Sequence, residues 1–161
     1  MSAFDEAIDP EWLNDRSAYQ LNYVHGLRNP HGLHLQFHLD GERAVTEWTP
    51  GPEHGGFPGV AHGGLVVAAI DDAMARCAAL RHRWVVTGRL DVRFRSAAPI
   101  GEPLRIEAWS ERLLRRVMHA AGRAVLPDGT VVAEARGTYL PIPAELRERM
   151  LDAWPGFSEF I

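Results

Sequence analysis

One long helical stretch, Gly63 to about Arg81, sits inside a chain whose flanking segments alternate with a period of two. At ~100° per residue, Val66, Val67, Ile70, Met74, Cys77 and Leu80 gather on one broad apolar face. That face needs a cover, and the segments around it read as strands. Ahead of the helix, Leu33, Leu35, Phe37 and Leu39 alternate with His34, Gln36, His38 and Asp40, which predicts a strand with one buried side. Asp40-Gly41 then turns the chain into a returning strand from Arg43 to Thr49. Behind the helix, Val85 to Arg95 puts Gly88, Leu90, Val92 and Phe94 on one side. Thr87, Arg89, Asp91, Arg93 and Arg95 fall on the other. Pro99-Ile100-Gly101 leads into Glu102 to Ser110, and Arg115 to Leu126 follows. Pro127-Asp128-Gly129 marks a hairpin into Thr130 to Leu140. Connections this short favour antiparallel pairing. Two strands, a long helix and about four more strands specify an α+β design, a curved antiparallel sheet against one helix.

Two shorter helices are expected at the ends. Asp9-Pro10-Glu11 opens one that runs to about Tyr19, with Asp9 as N-cap and Pro10 in the first turn. Ala144 to Trp154 suits a short amphipathic helix. At 161 residues, with no linker, repeat or low-complexity tract, the chain is expected to be one domain whose core spans about residues 25–142. The net charge of −4 gives no ground for nucleic-acid binding. All 17 basic residues are arginine, which can grip phosphate in a planar fork. The lone Cys77 rules out an internal disulfide. The longest apolar run near the helix, Leu65 to Ile70, is far below a membrane span. The opening Met-Ser-Ala-Phe-Asp-Glu lacks the pattern of a secretory leader, so a cytoplasmic location is expected.

Chemistry concentrates between Gly55 and Asp72. Glycines at 55, 56, 59, 63 and 64 permit tight turns and close approach of backbone to a ligand. His62-Gly63-Gly64 falls where loop becomes helix. There the first amides lack intrahelical acceptors and the helix dipole favours developing negative charge, as an oxyanion hole requires. The wheel separates the neighbouring acids. Asp72 lies opposite the apolar face, four residues before Arg76, as an i,i+4 ion pair. Asp71 lies at the margin of the apolar face among Val67, Ala75 and Ala78, with no cation spaced to meet it. A carboxylate in such company is costly unless it has a use.

The segment Gly59-Val60-Ala61-His62-Gly63-Gly64, followed by an acid nine residues after the histidine, resembles the signature of the hotdog-fold thioesterases, in particular the phenylacetyl-CoA thioesterase group. Asn29-Pro30-His31-Gly32-Leu33 and Val85-Val86-Thr87 with Pro99-Ile100-Gly101-Glu102 extend the resemblance to residues 25–142. It implies a hotdog fold, a sheet wrapped around the central helix, and hydrolysis of an acyl-CoA or acyl carrier protein thioester. Asp71 would be nucleophile or general base. The Gly63 N–H would polarise the carbonyl, His62 would orient the thioester or hold the loop, and Thr87 would position water. Gly64, Phe57 and His54 are candidates for substrate contact, and Arg89, Arg93 and Arg95 for the coenzyme A phosphates. The resemblance implies no metal or organic cofactor, no membrane partner, and assembly as a homodimer or dimer of dimers with sites between subunits. Where some relatives carry Asn or Gln six residues before the histidine, this chain has Gly56.

Other signals carry less. His31, His34 and His38 lack a cysteine or acid to complete a zinc set, and Cys77 lies on the core face of the helix. No Gly-x-Ser-x-Gly elbow occurs. Two rival readings remain: an acyl dehydratase or enoyl hydratase of the same fold, suggested by Gly56-Phe57-Pro58-Gly59, and a non-catalytic acyl-CoA-binding protein.

Overall fold

Alternation on both sides of the long helix becomes a single antiparallel sheet. In the computed structural model, which describes residues 20–81 and 83–153, its strands are β1 (His38–Asp40), β2 (Arg43–Trp48), β5 (Val85–Phe94), β6 (Leu104–Leu113), β7 (Met118–Val125) and β8 (Val131–Pro141). They lie in the order β1-β2-β6-β7-β8-β5, so β5 is an edge strand. A hairpin of β3 (Gly55–Phe57) and β4 (Val60–Ala61) stands apart, just ahead of helix α1 (Gly63–Ala79). Helix α2 (Ala144–Ala153) follows the last strand, as expected of that segment, and Met150 and Leu151 pack with Trp84 and Ile142. The helix expected from Asp9 to Tyr19 lies outside the described residues.

Small residues explain how closely α1 can approach the sheet. Ala108, Ala120, Ala124, Ala133 and Ala135 carpet the inner face, and Val66, Ile70, Met74 and Cys77 of the helix are buried above them. A Cβ at Gly122 would sit 2.9 Å from Ile70 Cγ2 and 3.1 Å from Met74 Cγ, so no larger residue fits that contact. The outer face is charged instead: Glu107 lies buried between Arg43 and Arg123, with Nη1–Oε1 of the first at 2.9 Å.

Two expectations need correction. The strand foreseen from Leu33 to Asp40 pairs with β2 only over His38–Asp40. Its upstream part is held by Leu33 N–H to Tyr23 O (2.8 Å) and Leu35 N–H to Val24 O (2.9 Å), and His34 sits at φ 52. Leu33, Leu35 and Phe37 are nonetheless buried, so the alternation reported burial correctly and pairing incorrectly. The second correction concerns β5. Thr87 pairs with Tyr139, but Arg89 pairs with Thr138, so Gly88 is an extra residue in a bulge. The bulge resets the phase. Thr87 therefore shares the helix-facing side with Leu90 and Val92, not the outer side with Arg89 and Asp91.

Candidate active site

The loop before α1 is built to present the helix N-terminus. A short 3-10 turn at Pro52–His54 folds the chain back, and His54 Nδ1 accepts from Gly51 N–H at 2.8 Å. The His54 ring lies edge-on to Trp48 with centroids 5.3 Å apart, and its carbonyl accepts from His62 N–H at 2.8 Å. Gly56 packs against His62 so tightly that a Cβ would stand 2.9 Å from His62 Cα. No asparagine or glutamine fits there without moving the loop, which accounts for the departure seen in the sequence.

His62 is the N-cap of α1, and its Nδ1 accepts from Gly64 N–H at 3.0 Å. Gly64 is thereby occupied. Gly63, the first helical residue, keeps an N–H with no acceptor among the described residues. The exposed ring of Phe94, at the end of β5, lies 3.1 Å from where a Gly63 Cβ would be. Phe57 projects from the β3–β4 hairpin, 78% exposed.

Two turns further along α1, half-buried Asp71 receives two hydroxyls. Thr87 Oγ1 donates to the carboxylate, lying 3.0 Å from Oδ1 and 3.1 Å from Oδ2. Tyr139 Oη donates to Oδ1 at 2.7 Å and also lies 3.2 Å from the Asp71 carbonyl. Burial pushes the Tyr139 phenol well above the ordinary tyrosine range, and the adjacent Asp71 charge pushes it further. Tyr139 is therefore a permanent donor. It escaped the sequence reading, although the signal was there. In Thr130 to Leu140 the period of two puts Tyr139 with Ala133, Ala135 and Gly137 on the inner face, and a buried phenol seeks an acceptor.

Asp72 forms the ion pair expected with Arg76 (3.3 Å) and also meets His25 Nδ1 at 3.0 Å. Burial alone would raise its pKa, but Arg76 and His25 together hold it below the usual carboxylate value. The Arg76 guanidinium lies over the Phe37 ring at 5.3 Å. Asp72 thus ties the helix to the segments ahead of β1, while its neighbour faces β5 and β8.

Arg89 and Arg93 stand on the outer face of the sheet, away from Asp71. Arg89 is paired bidentately with Asp91 and Arg95 with Glu134. No three His, Cys, Asp or Glu residues are grouped to hold a metal ion among the described residues, and no described helix is long and apolar enough to cross a membrane.

With this geometry, a family model described as "Thioesterase superfamily" matches residues 58–133, from the loop ahead of His62 into β8. Fold and matched segment make this a hotdog-fold chain, and the resemblance to the thioesterase superfamily read from the motif is borne out. In particular, the chain is similar to acyl-coenzyme A thioesterase THEM5 of Mus musculus, 28% identical over 110 residues. That match covers 68% of this chain and 44% of the mouse protein, so the chain spans under half the relative's length. A mutant structure of phenylacetic acid degradation protein PaaI from Thermus thermophilus aligns with a TM-score of 0.62 at 26% identity, covering 68% of this chain and 95% of that one. A hypothetical thioesterase from Streptococcus pneumoniae, solved with coenzyme A, shares the fold at TM-score 0.62 and 17% identity, covering 66% of this chain and 87% of that one. Two mutant structures of the pneumococcal protein replace an aspartate and a threonine, 16 positions apart, with alanine.

Proposed function

We propose that the chain hydrolyses an acyl-CoA thioester, or the corresponding acyl carrier protein thioester, to free acid and thiol, as one hotdog domain assembled at least into a homodimer. The observation that carries this reading is the Asp71 carboxylate, half-buried on the core helix and held by two hydroxyls instead of a cation. A carboxylate fixed in that way is a base with a defined direction. Its step of 16 residues to Thr87 equals the step between the two residues altered in the pneumococcal mutants.

In the proposed reaction, water donates one hydrogen bond to Asp71 and the other to Thr87 Oγ1, whose own O–H donates to Asp71. Its lone pair is then free to attack the thioester carbonyl. Asp71 takes the proton as the C–O bond forms, the Gly63 N–H stabilises the oxyanion, and the thiolate leaves with the proton that Asp71 returns. His62 serves this step by capping the helix that presents Gly63. Phe57, Phe94 and Gly64 border the thioester slot.

Helix geometry supports a dimer. Gly63 and Asp71 are eight residues apart on α1, about 12 Å along the axis, too far for one helix to supply both oxyanion donor and base to one carbonyl. Two antiparallel copies of α1 can supply them, and the edge of β5, unpaired among the described residues, offers the pairing that brings a second copy alongside. The test is thiol release by the purified chain across aromatic, short and medium-chain acyl-CoA esters, with crotonyl-type hydration measured in parallel. Thiol release supports hydrolysis. Faster hydration makes the chain a hydratase, and binding without turnover makes it an acyl-CoA-binding protein.

A further inference from the structure

Tyr139 lies wholly buried between α1 and β8, yet its hydroxyl reaches the one carboxylate that the proposed reaction uses. We propose that Tyr139 is a positioning residue, seated by Gly137, that fixes Asp71 so that Oδ2 is the reacting oxygen. This rests on the reading of Asp71 as the working base.

Three contacts distinguish the two carboxylate oxygens. Tyr139 Oη donates to Oδ1 alone among them, at 2.7 Å, while Thr87 Oγ1 lies 3.0 Å from Oδ1 and 3.1 Å from Oδ2. An ionised carboxylate accepts at roughly four lone-pair sites. Oδ1 therefore carries the Tyr139 donor plus a share of Thr87, and Oδ2 carries only the other share. Electron density for taking a proton from water is left on Oδ2. The phenol does not compete as a base, because it stays protonated at any working pH.

The seat is specific. A Cβ built on Gly137 would stand 2.5 Å from Tyr139 Cε2 and 3.0 Å from Oη. The ring folds back along β8 over the residue two positions earlier, and only glycine leaves it that room. This buried ring is not a flexible tip that can swing aside, so an alanine at 137 moves the hydroxyl off Asp71. The bulge at Gly88 completes the arrangement by turning Thr87 to the same face.

The experiment measures kcat and KM separately for wild type, Tyr139→Phe, Gly137→Ala and the double variant, with thermal unfolding to confirm that each is folded. Tyr139→Phe keeps the ring and removes the donor. The expected result is a fall in kcat of about tenfold in each single variant, with KM within about twofold. The double variant should fall no further than the weaker single one, because both remove the same contact. If Tyr139→Phe does not fold, Gly137→Ala alone decides by the same split. Unchanged kcat in a folded single variant overturns the proposal, as does a rise in KM at constant kcat, which marks a merely structural ring. A wild type that cleaves no thioester overturns the hydrolytic reading itself. An active wild type with an inactive Asp71→Asn and an unaffected Tyr139→Phe removes only the role of Tyr139.

Discussion

Thr87 lies directly opposite Tyr139 in the pairing of β5 with β8, and the hydroxyls of both end on Asp71. The relationship depends on the extra residue at Gly88. With strict alternation Thr87 would point outward with Arg89, and Asp71 would keep one hydroxyl instead of two. In the proposed reaction the hydroxyl of Thr87, not its methyl, is the working part. Thr87→Ser should therefore keep kcat within about threefold, whereas the nearly isosteric Thr87→Val should lower it by about tenfold or more. Steady-state kinetics on the two variants check this.

The proposed role of Gly63 as oxyanion donor can be tested with proline. It is the first residue of α1, where proline is tolerated, and His62 ahead of it already has the extended φ −63, ψ 125 that a residue before proline prefers. Gly63→Pro thus removes one N–H with little effect on the helix, and Gly63→Ala, which presses the same Cβ on the Phe94 ring but keeps the N–H, is its control. Expected is a loss of about 10²–10³ in kcat. Mixing Gly63→Pro subunits with Asp71→Asn subunits should restore activity, because a hybrid dimer holds one intact site. A mixture that stays as inactive as its parts would mean that each site is built from one chain.

Asp72 predicts a stability effect in acid. Its folded pKa is depressed by Arg76 and His25 acting against burial, so the stabilisation is fully present above the unfolded value of about 3.9 and is lost as pH falls through the folded value. Denaturant midpoints of wild type should drop below about pH 4. Asp72→Asn lacks this contribution at every pH and should be about 3–5 kcal/mol less stable near neutrality, since it leaves Arg76 buried without its carboxylate. Its midpoint should also change less between pH 5 and pH 2 than that of wild type.

Cys77 should be inert while the protein is folded. Burial against the sheet pushes its thiol up to about 12, so the thiolate is scarce at the pH of any thiol-release assay. A thiol-reactive dye should label none of the native protein at pH 8 and one site per chain after unfolding. Rapid native labelling would contradict the packing of α1 described above.

Much of this site was legible in the sequence. The helix limits, the hairpin at Pro127-Asp128-Gly129 and the ion pair of Asp72 with Arg76 follow from local spacing alone. Three features did not emerge, each because it depends on contacts that local spacing does not encode. The bulge at Gly88 looks like ordinary alternation until β8 is set beside it. The strand expected from Leu33 stops pairing at His38 because residues 33–35 bond to Tyr23 and Val24 instead. Tyr139 was placed on a strand but not on a carboxylate, since its distance to Asp71 is set by the small residues that let α1 approach the sheet. Of Arg89, Arg93 and Arg95, raised by the sequence as candidates for the coenzyme A phosphates, Arg89 and Arg95 hold carboxylate partners.

Whether the Asp71 carboxylate drives thioester hydrolysis is read by comparing thiol release from wild type and Asp71→Asn on the best acyl-CoA ester found. The substitution keeps size and both hydroxyl contacts while removing the charge that accepts a proton. If the carboxylate does drive hydrolysis, kcat falls by at least about 10²-fold, at the lower end of what positioned acid–base groups contribute, with the fold intact. Equal thiol release by the two proteins would contradict it.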